Sequence, residues 1–392
     1  MKHANSNETK RILILGGSHR DIPLIRASQQ LGYFVITLGD RDYYLGHQYS
    51  DKSYKVNFND LDAVKEIIKS ESIDFLLPGC GEESYLKTVQ LAQELKMGNF
   101  DNLETAKLIH NKWQFKAFCL KNAITTPKGA SAVDSLTLND LNFPIVVKPT
   151  NLSGGRGVQV VDNEQELNVA LKLAEELSDD IFLEEYIQGD LIAYSIFIKD
   201  QKVHYAFVGK DDVYLNKYLI STAYPITLMP QVLNKLKADV EKLSGLLSLV
   251  DGMFHLQVLV KENTPYIIDV TRRIPGDFFP NLIECSDHVE YSKAVVNAYT
   301  TGIISDEFSP KKDKQHFIIR HCVMPTKNGI YEDIVIADEL KDKIVDRFDL
   351  VERGSKIEHY LNTQIAIIFL KLNKEDNKIT DRINDLIYPT IN

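Results

Sequence analysis

Apolar segments alternate with amphipathic segments over the first hundred residues of the chain. Residues 11–15, 32–38 and 75–78 are near-continuous apolar runs, and 82–96 has the pattern of a helix. Continuous apolar strands that alternate with helices are typical of a parallel, doubly wound sheet. Ligands of such sheets bind at the carboxyl ends of the strands, so the predicted lining is 16–18, Asp40 and 79–83.

A different pattern begins at residue 145, where a short β-branched strand contains Lys148. Three glycines lie within the next loop, residues 153–158, and the chain then resumes as a strand to 161. This strand–loop–strand order differs from the Rossmann and P-loop motifs, in which the glycine loop leads into a helix. The loop is interpreted either as a cover over nucleotide phosphates or as a glycine-rich surface hairpin with an incidental lysine.

Strands are predicted at 191–198, 203–208, 253–260 and 266–270, with a helix near 231–247. Alternation places His255 and Gln257 on one face, and antiparallel pairing would set Gln257 near Asp269. Oxygen side chains beside Arg272 and Arg273 are suited to Mg²⁺ and phosphate, although an exposed polar hairpin has the same pattern. Residues 316–320 and 366–370 are expected to be strands and 374–387 a terminal helix, with no assignable chemistry.

Composition narrows the class of protein. The 392 residues suggest two or three domains, and the net charge of −10 disfavours a nucleic-acid partner. The four cysteines are widely spaced and are expected to be reduced thiols. No signal peptide or membrane span is evident, so a cytoplasmic location is expected. An NAD site is disfavoured because residues 16–21 do not form the GxGxxG motif.

The order of these motifs resembles the ATP-grasp superfamily over roughly residues 11–300. The resemblance rests on an Asn-Lys junction at 111–112, the lysine strand, the glycine loop, Glu-Glu-Tyr-Ile at 184–187 and Asp-Val-Thr-Arg-Arg at 269–273. It implies an α/β fold with an N-terminal doubly wound parallel-sheet domain (1–110). A two-lobed ATP-grasp domain (111–305) would follow, divided into subdomains at about 125–187 and 188–305. A small C-terminal α+β segment (306–392) would complete the chain.

The resemblance also implies a role for each matching position. Lys112 and Lys148 would hold the ATP phosphates, and Arg273 would steady the transferring phosphoryl group. The remaining implied ATP contacts are the loop residues Ser153, Gly154, Gly155 and Gly157, the adenine-binding Glu184, Glu185 and Ile187, and Asp190 for the ribose. Gln257, Asp269 and Thr271 fall at the Mg²⁺ ligands, where Mn²⁺ is an alternative metal.

Three positions depart from the family pattern. The usual ribose-binding acid is replaced by Leu191, with Asp190 one residue earlier. Gln257 stands where a metal-binding carboxylate is usual, and Thr271 stands in place of an asparagine. Asp269 would then be the main carboxylate ligand, which Mg²⁺ tolerates when phosphates supply further oxygens.

The implied function is an ATP-dependent ligase that activates a carboxylate as an acyl phosphate for attack by an amine or thiol, with amino-acid-like substrates. One alternative is a purine-pathway relative that activates formate or bicarbonate, for which the loop with Gly17 and Ser18 could supply a phosphate site. Another is a nucleotide-binding regulatory protein without turnover. Glu83 and Arg272 are further substrate candidates, Arg272 being equally suited to pairing with an acid, and a homodimer would be usual.

Overall fold

The computed structural model describes residues 9–131, 141–149, 157–305, 308, 310 and 316–392. Its N-terminal part is a four-stranded parallel sheet in the order β3-β2-β1-β4. The strands and helices of this part alternate except between β2 and β3, which a 3-10 turn (Leu45–Gln48) joins, and the parallel sheet confirms the predicted fold class. They are β1 (Arg11–Leu15), α1 (Ile22–Gln30), β2 (Phe34–Gly39), β3 (Lys52–Lys55), α2 (Leu61–Ser70), β4 (Phe75–Pro78) and α3 (Glu82–Leu95).

Two helices lead out of this sheet and begin at asparagine caps. The side chain of Asn102 accepts from Thr105 N–H at the start of α4 (Leu103–His110), and that of Asn111 accepts from Gln114 N–H at the start of α5 (Lys112–Lys121). Each cap satisfies a backbone N–H that has no partner within its helix. Lys112 therefore lies at the first position of a helix.

A four-stranded antiparallel sheet follows, in the order β5-β8-β6-β7. The element α6 packs against its apolar face. Its elements are β5 (Gly129–Ser131), β6 (Ile145–Pro149), β7 (Gln159–Val161), α6 (Glu164–Glu175) and β8 (Ile181–Glu185).

The centre of the molecule is an eight-stranded antiparallel sheet in the order β13-β12-β9-β10-β11-β14-β18-β16. The helix α7 packs on one face, and α8 and α9 cover the other, where α9 also contacts α1. These elements are β9 (Asp190–Lys199), β10 (Lys202–Val213), β11 (Ile220–Pro225), α7 (Pro230–Leu246), β12 (Gly252–Lys261), β13 (Thr264–Thr271), α8 (Phe279–Asp287) and α9 (Tyr291–Thr300).

The strands of the C-terminal segment are divided between the central sheet and a three-stranded sheet in the order β17-β15-β19. Three of its strands extend the central sheet, because β14 pairs with β11 and β18 lies between β14 and β16. Its elements are β14 (His316–Val323), β15 (Gly329–Ile336), α10 (Asp338–Lys341), β16 (Ile344–Asp349), β17 (Lys356–Ile357), β18 (Ala366–Asn373), α11 (Ile383–Leu386) and β19 (Ile387–Ile391).

The predicted terminal helix over 374–387 is wrong. The chain instead forms a 3-10 stretch (Lys374–Arg382), the short helix α11 and then β19, which pairs with β15. Ile387 and Ile391 are buried against the C-terminal core, so the burial of this final apolar segment favours a strand over a longer helix.

All four cysteines are free thiols, as expected, and Cys80, Cys119 and Cys322 are buried. Among the described residues, no helix combines the length and apolar character that crossing a membrane would require.

Candidate functional site

Lys148 and Glu184 lie on the same face of the small sheet and form an ion pair. The backbone register pairs Lys148 with Phe182 and Glu184 with Val146, so the two charged side chains are diagonal neighbours on β6 and β8. A second lysine, Lys116 of α5, approaches Glu184 Oε2 at 2.8 Å. Glu184 is 3% exposed and Lys116 is 4% exposed, so this three-residue cluster is largely removed from water.

The charge of Glu184 is stabilised by these two lysines. Burial alone would raise the pKa of its carboxyl, but the charges of Lys116 and Lys148 outweigh burial and lower the pKa to about 2. The carboxylate thus lies between two cations, whereas the resemblance implied that it accepts from an adenine amino group. An adenine contact would compete with the hydrogen bond from Lys148.

The glycine loop joins β6 and β7, which pair antiparallel from Ile145↔Val161 to Val147↔Gln159. This confirms the predicted strand–loop–strand hairpin. Ser153, Gly154 and Gly155 lie outside the described residues. Gly157 has a φ of 74°, and a Cβ there would approach Leu177 and Pro149 to 2.8 Å, so this position requires glycine.

The segment from β8 into β9 holds the other expected nucleotide contacts. The backbone N–H of Glu185 donates to the carbonyl of Lys128 at 2.9 Å and is therefore already used. Ile187 is half-buried, and Asp190 is exposed. Asp190 forms an ion pair with Lys210, so its carboxylate would have to leave this lysine to bind a ribose.

Three oxygen-bearing side chains lie together at the edge of the central sheet, and we call Gln257, Asp269 and Thr271 the metal row. Gln257 is directly opposite Asp269, as the sequence predicted, and His255 is directly opposite Thr271. All of these side chains share one face of the sheet because opposed residues, and residues two apart, point the same way. Asp269 is solvent-exposed.

The metal row fits a Mg²⁺ ion that takes much of its coordination from ATP. It offers one carboxylate, one amide oxygen and one hydroxyl, and Mg²⁺ is commonly held by one or two carboxylates together with phosphate oxygens. No cluster of three or more His, Cys, Asp or Glu residues with metal-binding geometry occurs in the described part of the chain. This agrees with a site in which the nucleotide supplies the remaining ligands.

Glu82, the first residue of α3, belongs to the predicted ligand-binding turn 79–83, and it adds a carboxylate for which the sequence indicated no specific role. Its pKa is raised by burial and by the charge of Asp269, while Lys112 and Arg273 act in the opposite direction. The N-terminal sheet therefore places an acid beside the metal row, and Lys112 and Arg273 place positive charge there. These are the charges that a metal-bound triphosphate requires.

Arg273 extends towards this group of charges. Its Nε atom is buried and has no hydrogen-bond partner among the described residues, and its Nη1 makes one long contact of 3.4 Å to the carbonyl of Ile274. The positive charge of Arg273 also contributes, after burial, to lowering the pKa of His255 to about 3. Arg273 is thus near the metal row with hydrogen-bonding capacity available for a ligand.

Arg272 is enclosed by protein groups. This corrects the expectation that it acts in catalysis or binds a substrate, and it agrees with the alternative that it pairs with an acid. Its guanidinium is 4% exposed and forms a 2.7 Å ion pair with Asp101. It also donates to the carbonyls of Met253 at 2.6 Å and Val250 at 2.7 Å. Arg272, just beyond the end of β13, thus ties the α3–α4 connection to the central sheet.

The loop with Gly17 and Ser18 is occupied by protein groups. The backbone N–H and hydroxyl of Ser18 donate to Asp21 Oδ2 at 2.8 and 3.0 Å. The other carboxylate oxygen accepts from Cys80 N–H at 2.7 Å. A Cβ at Gly17 would lie 2.0 Å from His47 Cε1, so the imidazole covers this glycine. The N–H of Ser18 is therefore already bonded to a carboxylate, and an imidazole lies over Gly17, where a phosphate would have to bind.

Glu83 is the last of the expected substrate candidates. It is exposed and accepts a 2.7 Å hydrogen bond from Asn59 Nδ2. Its position in the first turn of α3 also suits an acid because the helix N-terminus is electropositive.

Comparisons with known proteins agree with this architecture. Residues 112–282 match the family model described as D-ala D-ala ligase C-terminus. The solved L-amino acid ligase of Bacillus licheniformis superimposes with a TM-score of 0.82 at 18% identity, covering 98% of this chain and 99% of that protein.

Two curated relatives are more similar over shorter stretches. The carbamoyl phosphate synthase large chain of Clostridium beijerinckii is 23% identical over 295 residues, 68% of this chain and 27% of that protein. The formate-dependent phosphoribosylglycinamide formyltransferase of Methanocaldococcus jannaschii is 28% identical over 191 residues, 46% of this chain and 48% of that protein. The chain thus spans about a quarter and about half of their lengths.

These findings agree with the resemblance in fold: the chain has the fold of the solved ATP-grasp ligases, and residues 112–282 are similar to the family's ligase domain. Proteins of this superfamily bind ATP together with a divalent metal ion.

Proposed function

We propose that the protein is an ATP-dependent ligase that joins a carboxylate to an amine, with amino-acid-like substrates. The observation that carries the proposal is the grouping of Asp269, Gln257 and Thr271 with Arg273, Glu82 and Lys112 at one edge of the central sheet. Lys148 of the small sheet is the second lysine that the ATP-grasp resemblance assigns to the phosphates. The likeness to an L-amino acid ligase over nearly the full length of both chains supports the choice of substrate class.

The proposed reaction has two steps. A carboxylate oxygen of the first substrate attacks the γ-phosphorus of ATP, and the bond to the β-phosphate oxygen breaks to release ADP. The amine nitrogen of the second substrate then attacks the acyl carbon, loses a proton and displaces phosphate. No enzyme nucleophile is needed for either step.

The chain's own residues orient and stabilise the reacting groups. Lys112, Lys148 and Arg273 would offset the negative charge that spreads over the transferring phosphoryl group. Asp269, Gln257 and Thr271 would hold Mg²⁺, which when bound polarises the phosphate oxygens. Glu82 would lie at the side of this site that the N-terminal sheet provides.

Lys148 must change partner for the site to bind ATP in this way. In the structure it is paired with Glu184. The triphosphate would draw Lys148 away, and Lys116 would remain to balance the Glu184 carboxylate. Exclusion of water from the site would then protect an acyl phosphate that hydrolyses readily.

A second candidate is the activation of formate or bicarbonate in a purine-pathway-type reaction. The similarity to a formate-dependent phosphoribosylglycinamide formyltransferase favours it. The phosphate site that such a substrate would need was expected at Gly17 and Ser18, but Asp21 and His47 occupy that loop. A carboxylate at Asp21 would repel a phosphate there, and this favours the amino-acid substrates.

The neutral ligands Gln257 and Thr271 also allow a third function, a nucleotide-binding regulatory protein without turnover. Phosphate release from Mg-ATP separates all three. The assay uses a panel of amino acids, dipeptides, formate, bicarbonate and phosphoribosylamines, each carboxylate with and without an amine. Release that needs an amino acid and an amine, and that is lost in Lys148→Ala, supports the ligase. ATP binding without release by any pair contradicts it.

A further inference from the structure

A second group of charged residues lies on the same face of the central sheet as the metal row. Asp211 of β10 is opposite Ala223 of β11, and Ala223 is opposite Arg320 of β14. The three side chains therefore share a face and form one row across three strands. Gly209, two residues before Asp211, lies on the same face and starts a second row of directly opposed residues. This row passes from Gly209 to Ala193, then to Gln257, and ends at Asp269. The metal row and this pair thus lie on one continuous surface.

Asp211 and Arg320 are buried without satisfying each other. Asp211 is 3% exposed, and neither of its carboxylate oxygens has a hydrogen-bond partner among the described residues. Arg320 is 2% exposed, and its Nη1 donates to the carbonyl of Asp277 at 3.2 Å. Its Nε and Nη2 have no hydrogen-bond partner in the described part of the chain.

Such an arrangement is costly for the folded protein on its own. Buried ionisable groups are normally paired and hydrogen-bonded, because removing them from water is unfavourable. Ala223 lies between the two residues and is fully buried, and its small side chain cannot bridge them. Burial raises the pKa of Asp211 to about 7, as expected for a carboxyl without a bound cation. Groups left unsatisfied in this way are typical of ligand sites.

The available atoms define the chemistry of a ligand. Nε and Nη2 lie on one edge of the guanidinium plane, and this edge binds a carboxylate through two parallel hydrogen bonds. The two free oxygens of Asp211 suit an ammonium group. A phosphate would be attracted by Arg320 but repelled by Asp211, so the pair favours a ligand that carries one charge of each sign.

We infer that Asp211 and Arg320 bind the ammonium and carboxylate groups of a zwitterionic α-amino acid, which is the amine donor of the ligation. This assignment rests on the proposed ligase function. The ligand of this pair is the amine donor and not the carboxylate donor, because the carboxylate donor must place its own carboxylate at Arg273 and the metal row. The amino acid at Asp211 and Arg320 keeps its carboxylate intact. Its ammonium group, on the side of the row that leads to Gln257 and Asp269, must pass one proton to the Asp211 carboxylate before the free amine attacks.

Partly exposed residues border this pair on one side. Asp277 lies next to Arg320, with Oδ2 4.0 Å from Nη1, and its side chain is 15% exposed. Arg20, whose side chain is 47% exposed, approaches the other oxygen of Asp277 at 3.5 Å. Asp277 and Arg20 link Arg320 to the partly exposed surface, so the proposed entry route for the amino acid is on their side.

The test compares amino acids with their amides, which keep the amine but lack the carboxylate. Phosphate release is measured for wild type, Arg320→Gln and Asp211→Asn, together with the KM for the amine donor, the carboxylate donor and ATP. The exposed pair Arg347–Asp349 supplies the matched controls Arg347→Gln and Asp349→Asn. Binding of amino acid and amide to each protein with a non-hydrolysable ATP analogue is measured by calorimetry.

Wild type is expected to prefer the amino acid over its amide by about tenfold or more, and Arg320→Gln to lose this preference, because a charged hydrogen-bonded pair is worth this much. Asp211→Asn should raise the KM for the amine donor by about tenfold or more with little change in the KM for ATP. Asp211→Asn is nearly isosteric, so it keeps the test open if Arg320→Gln does not fold.

Failure of the inference and failure of the ligase function give different results. If wild type turns over carboxylate–amine pairs but treats amino acids and amides alike, the ligase function stands and the inference is overturned. It is also overturned if both buried variants match the surface controls in every KM. Absence of phosphate release by wild type with every pair overturns the ligase function itself.

Discussion

Lys148 and Glu184 are paired across the small sheet, and the pairing holds the expected ATP-binding lysine against a buried carboxylate. Lys116 completes this cluster at 2.8 Å from Glu184. A lysine already paired in this way is kept in place before the nucleotide arrives, and the second lysine prevents Glu184 from being left as a lone buried charge when Lys148 moves.

The first prediction concerns the pH dependence of stability. The pKa of Glu184 is lowered from 4.5 to about 2 in the folded protein, so its contribution to the free energy of unfolding is present above pH 4.5 and is lost as the pH falls towards 2. Glu184→Gln has no carboxylate to protonate at this position. Its free energy of unfolding should therefore fall less than that of wild type as the pH decreases from 4.5 towards 2. Urea unfolding of wild type and variant at several pH values measures the difference.

The matched control is Glu104→Gln, since Glu104 is exposed and forms an ion pair with the exposed Lys107 on the surface of α4. This variant should follow the wild-type pH dependence closely. Equal changes in the two variants would contradict the special position of Glu184.

The second prediction concerns Arg272, whose guanidinium is enclosed by Asp101 and two carbonyls. Arg272→Met should lower the free energy of unfolding by roughly 3–5 kcal/mol, because it leaves the Asp101 carboxylate buried without its cation. Arg347→Met removes an exposed ion pair and should cost at most about 1 kcal/mol. Chemical denaturation compares the two.

Adding Asp101→Asn to the Arg272 variant tests the cause of this loss. The double variant should regain part of the stability, because the uncompensated charge is gone. No recovery at all would show that the carbonyl contacts, and not the ion pair, dominate.

The third prediction concerns Asp269, the carboxylate of the metal row. Asp269→Asn should reduce phosphate release by about a hundredfold or more while ATP affinity changes much less, because the carboxylate acts through the metal on the transferring phosphoryl group. The variant should also need more Mg²⁺ for half-maximal activity. Glu262→Gln, at the turn of the same hairpin, is the matched acid-to-amide control and should behave as wild type.

Parallel losses of turnover and ATP affinity in Asp269→Asn would speak against a catalytic metal site. Unchanged turnover would speak for another set of ligands, in which Glu82 is the first residue to examine.

The fourth prediction concerns the covered glycine of the N-terminal loop. Gly17→Ala should destabilise the protein by about 1–3 kcal/mol, because its Cβ would lie 2.0 Å from His47 Cε1. Gly17→Ala combined with His47→Ala should recover much of this loss. Gly245→Ala is the control: its Cβ would meet only Gln201 at 3.4 Å, and a glycine-to-alanine change inside helix α7 is expected to be neutral or stabilising. Thermal unfolding of the four proteins gives the comparison.

The elements of the fold were largely predictable because their patterns are local. Alternation identified β12 and β13 and placed Gln257 opposite Asp269, and asparagine caps agreed with the junction at Asn111–Lys112. The final strand Ile387–Ile391 was missed because its pairing with β15 depends on residues more than fifty positions away. Short apolar segments do not distinguish helix from strand by themselves.

Contacts that depend on distant parts of the chain were the ones the sequence did not reveal. Lys116 could have been found, since it lies one turn after Lys112 on the same helix, but nothing local indicates that it meets Glu184. The different surroundings of Arg272 and Arg273 could not be predicted from the sequence, because they depend on the direction that the chain takes where β13 ends. Asp211 continues the pattern of alternate buried residues in β10 that includes Tyr205 and Phe207. Its relation to Arg320 becomes evident only once β14 is known to pair with β11.

The extension of the central sheet by C-terminal strands has a mechanical consequence. Asp269 and Arg320 belong to strands joined by a continuous ladder of backbone hydrogen bonds, so the two ends of the proposed reaction are held at a fixed spacing by a single stiff platform. The small sheet with Lys148 is hydrogen-bonded as a separate unit. In the proposed enzyme, nucleotide capture can therefore involve movement of the small sheet while the distance between the acyl carbon and the incoming amine stays set by the platform.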